Sequence, residues 1–157
     1  MKTLILGLGN PILSDDGVGW EVAQGVYARA AAKVAGSADQ VELVQGAVAG
    51  LTLVSLLSGY DRAIIIDAIC TRSHEPGTCL CLGLDDLEST PRLSSPHDVH
   101  LWQAIEVGKS LGHPVPREVR VYAIEVQDPY TFGENLTPAV AQAVPGIVDR
   151  VVAAEFA

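Results

Sequence analysis

Basic side chains are scarce in this sequence. Lys and Arg together number 10 against 19 Asp and Glu among 157 residues, which gives a formal net charge of −9. A nucleic-acid-binding protein needs a concentrated positive surface to offset the phosphate charge, and no stretch of the chain supplies one. The charge balance therefore argues against a DNA- or RNA-binding function.

Long hydrophobic runs are also missing. The longest runs, such as residues 63–66, are far shorter than the ~20 residues of a membrane-spanning helix. The run at residues 4–8 is too short for the core of a signal peptide. We therefore predict a cytoplasmic protein without a membrane span.

Cysteine is rare, and the three cysteines are Cys70, Cys79 and Cys81. Cys79 and Cys81 alternate with leucines, as residues of a β-strand do. An odd number at this spacing argues for reduced, buried thiols and against a metal or redox site. Because no cysteine has a convincing histidine partner and no Gly-x-Ser-x-Gly motif occurs, a conventional cysteine or serine protease is not supported.

The residues that are abundant form an alternating pattern of strands and helices. Apolar residues make up 48% of the chain, which suits one packed domain over residues 1–157. Short apolar runs predict strands at residues 3–8, 41–44, 63–66, 79–82 and 119–124. Helical spacing predicts helices from Val18 to about Gly36, around residues 53–57, from Pro96 or His97 to about Leu111, and after Thr137.

Alternating strands and helices predict an α/β fold with three layers. The sheet is expected to be a mostly parallel, twisted, five-stranded one with helices on both faces, of the phosphorylase/hydrolase-like kind. The run at residues 63–66 has no polar alternation, as expected of a central strand covered on both faces.

Polar side chains follow two of these strands. Asp16 lies in the loop after the first strand, Asp67 ends the apolar run of the third, and His97 begins a predicted helix. Ligands of parallel α/β sheets bind beyond the carboxyl ends of the strands, so these side chains converge if the first and third strands are neighbours. Two carboxylates and an imidazole suit a borderline divalent ion such as nickel or zinc, with coordination positions left open.

Structural roles for the same residues stay open on spacing alone. Asp16 can cap the following helix, Asp67 can hold a loop amide, and His97 can be an ordinary first-turn histidine. Asp15 is expected to be a solvated or helix-capping acid. His100 shares the helix face of His97 and is expected to be a surface histidine that can also join the site.

The glycine-rich segment after the first strand does not fit a dinucleotide site. Gly7 and Gly9 match the first two glycines of the fingerprint, but Ile12 occupies the place of the third. Pro11 and two acids then follow where a pyrophosphate would bind.

Four segments, in order along the chain, closely resemble the motifs of the nickel-iron hydrogenase maturation endopeptidases. They are GLGNPILSDDGVG at residues 7–19, IIDAI at 65–69, SPH at 95–97 and GENLTPAV at 133–140. The resemblance implies an endopeptidase that removes a C-terminal extension from the precursor of a hydrogenase large subunit after nickel insertion. It also implies that Asp16, Asp67 and His97 bind the nickel, with Asp16 or Asp67 assisting catalysis.

In that family the nickel is supplied by the substrate, and other divalent ions are compatible with such a site. One segment departs from the pattern. Where the family usually carries an Asp-Gly-Gly-Thr-like loop after the second strand, this chain has QGAV at residues 45–48. Gln45 and Gly46 are therefore the expected substrate-binding residues of a divergent subgroup with an unusual hydrogenase partner.

Two other functions remain as alternatives. A non-catalytic, nickel-sensing module that binds an immature hydrogenase subunit is one, and the altered Gln45 segment motivates it. Peptidyl-tRNA hydrolase is the other, because its opening also resembles residues 7–11. Trp20 occupies the region of its catalytic histidine, however, and an acidic chain suits tRNA poorly.

Overall fold

The structure, a computed structural model, describes residues 1–47, 51–83, 85–86 and 101–157. Its strands are β1 (Lys2–Leu8), β2 (Gln40–Gly46), β3 (Arg62–Ile69), β4 (Cys79–Gly83) and β5 (Glu118–Glu125). Its helices are α1 (Val18–Val34), α2 (Leu51–Leu57), α3 (Leu101–Ser110) and α4 (Pro138–Glu155), and a 3₁₀ turn spans Ser14–Gly17.

The described strands form one five-stranded sheet in the order β2-β1-β3-β5-β4. The pairs β1–β2, β1–β3 and β3–β5 are parallel, and β4 is antiparallel to β5. The predicted mostly parallel sheet is therefore confirmed, and so is the neighbourhood of the first and third strands.

Helices cover both faces of the sheet, which confirms the three-layer prediction. Side chains of α1 and α4 pack with Ile64 and Ile66 of β3 on one face. Side chains of α2 and α3 pack with Ala63 and Ile65 on the other face. Every residue of β3 is buried, which is why its sequence shows no polar alternation.

The predicted helix ends agree with the structure where it describes them. Thr137 takes the N-cap position of α4, with Pro138 directly after it, and α1 ends shortly before Gly36, whose φ is +81°. The third predicted helix is described only from Leu101, so its predicted start at Pro96 or His97 lies outside the described residues.

The cysteines are all free thiols, as predicted, but they are not equally buried. Cys79 is buried, whereas Cys70 and Cys81 are half-buried. Burial raises the pKa of the Cys79 thiol to about 11, so it stays protonated near neutral pH and is a poor nucleophile.

Candidate active site at the carboxyl edge of the sheet

The strand order reverses between β1 and β3. From β1 the chain passes to β2 on one side, and it then crosses over to β3 and β5 on the other side. A crevice forms at such a reversal, outside the carboxyl ends of the two strands. The pairing of β1 with β3 ends at Gly7 and Ile66, while β3 continues to pair with β5 as far as Ile69 and Glu125.

Asp67 lies just beyond the point where β1 stops pairing. The prediction that the strand ends at Asp67 is wrong, because β3 continues through Ala68 and Ile69 along β5. The Asp67 side chain is buried, at 1% exposure, and its Oδ1 accepts a hydrogen bond of 2.8 Å from the Ala68 N–H. The sheet thus places a fixed, buried carboxylate at the strand-order reversal.

Asp16 comes to the same edge from the loop that follows β1. It lies in the 3₁₀ turn, which contacts β3, and its side chain is buried with a residue exposure of 6%. Its Oδ2 accepts a hydrogen bond of 2.7 Å from the Asn10 N–H. The N-cap position of α1 is taken by Gly17, so Asp16 is not the N-cap residue of that helix.

Glycines allow the loop and α1 to close over the strand ends. A Cβ on Gly19 would lie 2.5 Å from both the Leu8 and Ile66 carbonyl oxygens, and one on Gly9 would lie 2.0 Å from the Asp16 carbonyl oxygen. Gly9 also has a φ of +123°, which favours glycine. The glycine-rich segment therefore serves close backbone packing around the two carboxylates.

We expect Gly19→Ala to lower the free energy of unfolding by about 2 kcal/mol. Alanine gains about 1 kcal/mol of helix propensity over glycine, but the clash with two backbone carbonyls forces α1 away from the strands and outweighs that gain. Gly146→Ala is the matched control, because Gly146 lies inside α4 with nothing within 4 Å of its added Cβ. Urea unfolding should show a loss for Gly19→Ala and a gain for Gly146→Ala; a gain for both would contradict the packing role.

Asp15 is not solvated, so that part of the prediction is wrong; as a capping acid it serves α4, whose N-cap residue Thr137 donates its N–H to the Asp15 carboxylate. It is fully buried at 0% exposure. Its carboxylate accepts hydrogen bonds from the N–H groups of Gln127, Asp128 and Thr137 and from the Thr137 hydroxyl, at 2.7–3.0 Å. These donors offset the cost of burying the carboxylate. Through them, Asp15 connects the loop that carries Asp16 to the segment between β5 and α4.

Gln45 and Gly46 lie at the end of the edge strand β2, beside the same loop. The Gln45 side-chain amide donates to the Trp20 carbonyl oxygen at 2.9 Å, and the Gly46 carbonyl accepts from the Gly9 N–H at 3.2 Å. A cavity of about 170 Å³ opens there between Pro11, Trp20, Gln45 and Glu134. A substrate-binding role for Gln45 and Gly46 stays a prediction.

The predicted third ligand, His97, and its neighbour His100 lie outside the described residues. Among the residues that the structure does describe, no group of three or more His, Cys, Asp or Glu side chains is placed to hold a metal ion. Asp16 and Asp67 lie at the same edge of the sheet, and a place for His97 beside them stays a prediction.

None of the helices in the described part of the chain is both long and apolar enough to cross a membrane.

Comparison with known proteins decides the family. A family model described as hydrogenase maturation protease matches residues 26–154. The chain belongs to the hydrogenase maturation protease family. It is 27% identical to the hydrogenase 2 maturation protease of Escherichia coli (strain K12), over 98% of this chain and 90% of that protein.

Other relatives of the protease agree in sequence and in fold. The hydrogenase expression/formation protein HupD of Bradyrhizobium diazoefficiens is 30% identical, over 94% of this chain and 74% of its own length. The solved structure of the hydrogenase maturating endopeptidase HybD from E. coli superposes with a TM-score of 0.78 at 25% identity, covering 98% of this chain and 91% of that one. The predicted family, fold class and peptidase activity are confirmed, and peptidyl-tRNA hydrolase loses its support.

Sequence reasoning missed the residues that hold the site in place. Asn10 positions Asp16 through its backbone N–H, which leaves no trace in the side-chain pattern. Asp15 anchors the loop from inside the protein, and its partners lie more than 100 residues away in the chain. The match between Asp15 and Thr137 had one possible signal, since both belong to the quoted family motifs.

Proposed function

We propose that this protease removes the C-terminal extension of a nickel-iron hydrogenase large-subunit precursor after nickel has been inserted. The observation that carries the proposal is the pair of buried carboxylates, Asp16 and Asp67, at the strand-order reversal of a hydrogenase maturation protease. A crevice at this edge is where an α/β sheet binds its ligand. The substrate is a protein, which agrees with a net charge of −9 that disfavours nucleic acid.

The nickel belongs to the substrate in this proposal. Asp16 and Asp67 supply carboxylate oxygens and His97 supplies an imidazole, a donor set that suits a borderline ion such as nickel. Backbone N–H groups of Asn10 and Ala68 each hold one oxygen of a carboxylate. Such contacts fix the orientation of the acids before the substrate arrives, which limits the reorganisation needed on binding.

The chemistry follows from this arrangement. Nickel in the bound substrate polarises the scissile carbonyl or acidifies a water molecule. Asp16 or Asp67 would accept the proton of the attacking water as a general base and pass it to the amine nitrogen that leaves when the C–N bond breaks. The ion also distinguishes a nickel-loaded precursor from a nickel-free one, because the nickel-free form lacks the group that the two carboxylates and the histidine bind.

The direct test is the mass of a large-subunit precursor before and after incubation with this protein. We expect the nickel-loaded precursor to lose a C-terminal peptide and the nickel-free precursor to keep its mass. Cleavage of both forms would contradict nickel recognition. If a nickel-loaded precursor from the same organism as this protein kept its mass, the proposed cleavage would be contradicted.

A nickel-sensing binding module is the second candidate, and the Gln45 side chain motivates it. The family usually carries an acid and a hydroxyl in this segment, whereas this chain has the uncharged amide of Gln45. That amide donates a hydrogen bond to the Trp20 carbonyl within the protein. Binding of the nickel-loaded precursor without any change of its mass would favour this module over the protease.

A further inference from the structure

Three large apolar side chains are exposed on the two loops beside the site. Ile12 is 47% exposed, Tyr130 is 71% exposed and Phe132 is 81% exposed. We name these three residues the rim patch. Exposing two aromatic rings is costly in water, and grouped apolar exposure of this kind marks interaction surfaces.

Hydrogen bonds join the two loops of the rim patch. The Gly133 N–H donates to the Ile12 carbonyl at 2.8 Å, and the Ser14 N–H donates to the Gly133 carbonyl at 2.8 Å. The fully buried Asp15 carboxylate fastens the same loops through Gln127, Asp128 and Thr137. The backbone that carries the rim patch is therefore tied to the core.

Asp128 adds a second fastening, inside the aromatic loop. Its Oδ1 accepts hydrogen bonds of 3.0 Å from the N–H groups of Tyr130 and Thr131. The hydrogen bond from the Thr131 side chain lowers the pKa of Asp128 most, and the hydrogen bonds from these two N–H groups lower it further. The carboxylate thus stays charged at neutral pH and holds the turn in which Tyr130 is displayed.

The position of the rim patch relative to the carboxylates suggests what it contacts. Ile12 lies on the same loop as Asp16, which is only 6% exposed. Asp16 and Asp67 are therefore buried, whereas the rim patch is exposed to solvent and, through Ile12, shares a loop with Asp16. An extended peptide that reaches the two carboxylates need not contact these exposed side chains, whereas the surface of a folded substrate can cover them.

We propose that the rim patch is the docking surface for the folded body of the hydrogenase large-subunit precursor. This inference rests on the proposed function and specifies how the substrate is held outside the crevice. A folded protein is the occupant because the patch is continuous with the loop that carries Asp16. Aromatic side chains on a fixed backbone are also frequent anchors of protein–protein interfaces.

The test compares Tyr130→Ser/Phe132→Ser with the wild type in cleavage of the nickel-loaded precursor. We expect KM to rise about tenfold or more, because truncation of interface anchors typically weakens binding by that factor. The kcat should stay unchanged, since neither residue belongs to the carboxylate site. The melting temperature should also be unchanged, because both side chains are exposed.

Two further variants make the result specific. Leu111→Ser removes an equally exposed apolar side chain, at 64% exposure, beyond the end of α3 and away from the site, and it should leave KM unchanged. Tyr130→Phe/Phe132→Leu keeps the apolar area and should retain most of the wild-type KM. A wild-type KM in the Ser/Ser variant, or an equal rise in Leu111→Ser, would overturn the docking role while cleavage itself stands.

Failure of the proposed function gives a different result. If the wild type leaves the nickel-loaded precursor uncut, the dissociation constant of that precursor replaces KM as the readout. A tenfold weaker binding by the Ser/Ser variant would then support the docking role without cleavage. Equal binding by both proteins, or no binding by the wild type, would overturn it.

Discussion

Asp67→Asn is expected to lower kcat/KM for the nickel-loaded precursor by about a thousandfold or more, which is the scale for loss of an essential catalytic group. The amide has nearly the same size and keeps an oxygen that can accept the Ala68 N–H hydrogen bond. It lacks the negative charge that binds the ion and the basicity that accepts a proton. The fold should therefore persist while cleavage is lost.

The control for Asp67→Asn is Asp149→Asn. The Asp149 side chain is 68% exposed and pairs with Arg29 on the surface, so its charge contributes little to stability and none to the site. We expect wild-type cleavage from this control, measured by mass spectrometry of the precursor over time. Cleavage by Asp67→Asn at the wild-type rate would refute the proposed role of Asp67.

A second variant tests whether the two carboxylates act on one centre. Asp16→Asn should cause a loss similar to that of Asp67→Asn. The double variant should lose little more than either single one, because residues that act as a unit are strongly non-additive. Independent, multiplying losses would indicate that the two acids perform separate tasks.

The fold was largely predictable because the spacing of apolar residues in the sequence indicates which faces of each strand and helix are buried. β3 is covered on both faces, so its run of apolar residues marked it as central. The edge of the sheet near which Asp16 and Asp67 lie followed from the same pattern, since Asp16 comes in the loop after β1 and Asp67 lies one residue beyond the last β3 residue that pairs with β1. The exact end of β3 did not follow, because it depends on pairing with β5, which continues after β1 has stopped.

The polar contacts that support the site were harder to foresee. A charged residue in a loop is usually solvated, and nothing adjacent to Asp15 indicates that its partners are Gln127, Asp128 and Thr137. Similarly, Arg62 at the start of β3 is buried against Glu155 at the end of α4, 93 residues later. Such pairs depend on the final placement of whole elements, so local sequence patterns carry no signal for them.

Asp15→Ala is expected to lower the free energy of unfolding by about 3–5 kcal/mol. The substitution removes the acceptor of four hydrogen bonds, and each buried donor left without a partner costs about 1–3 kcal/mol before relaxation. Part of the cost is recovered if water enters the space left by the carboxylate, which is why the expected total is below the simple sum.

Urea unfolding of Asp15→Ala measures this loss, with Asp149→Ala as the exposed control. The control should stay within about 0.5 kcal/mol of the wild type, as surface substitutions usually do. Because Asp15 also fastens the loops of the rim patch, the folded fraction of Asp15→Ala should show a raised KM for the precursor. A loss below about 1 kcal/mol, with an unchanged KM, would mean that neither the loops nor the rim patch depends on this buried carboxylate.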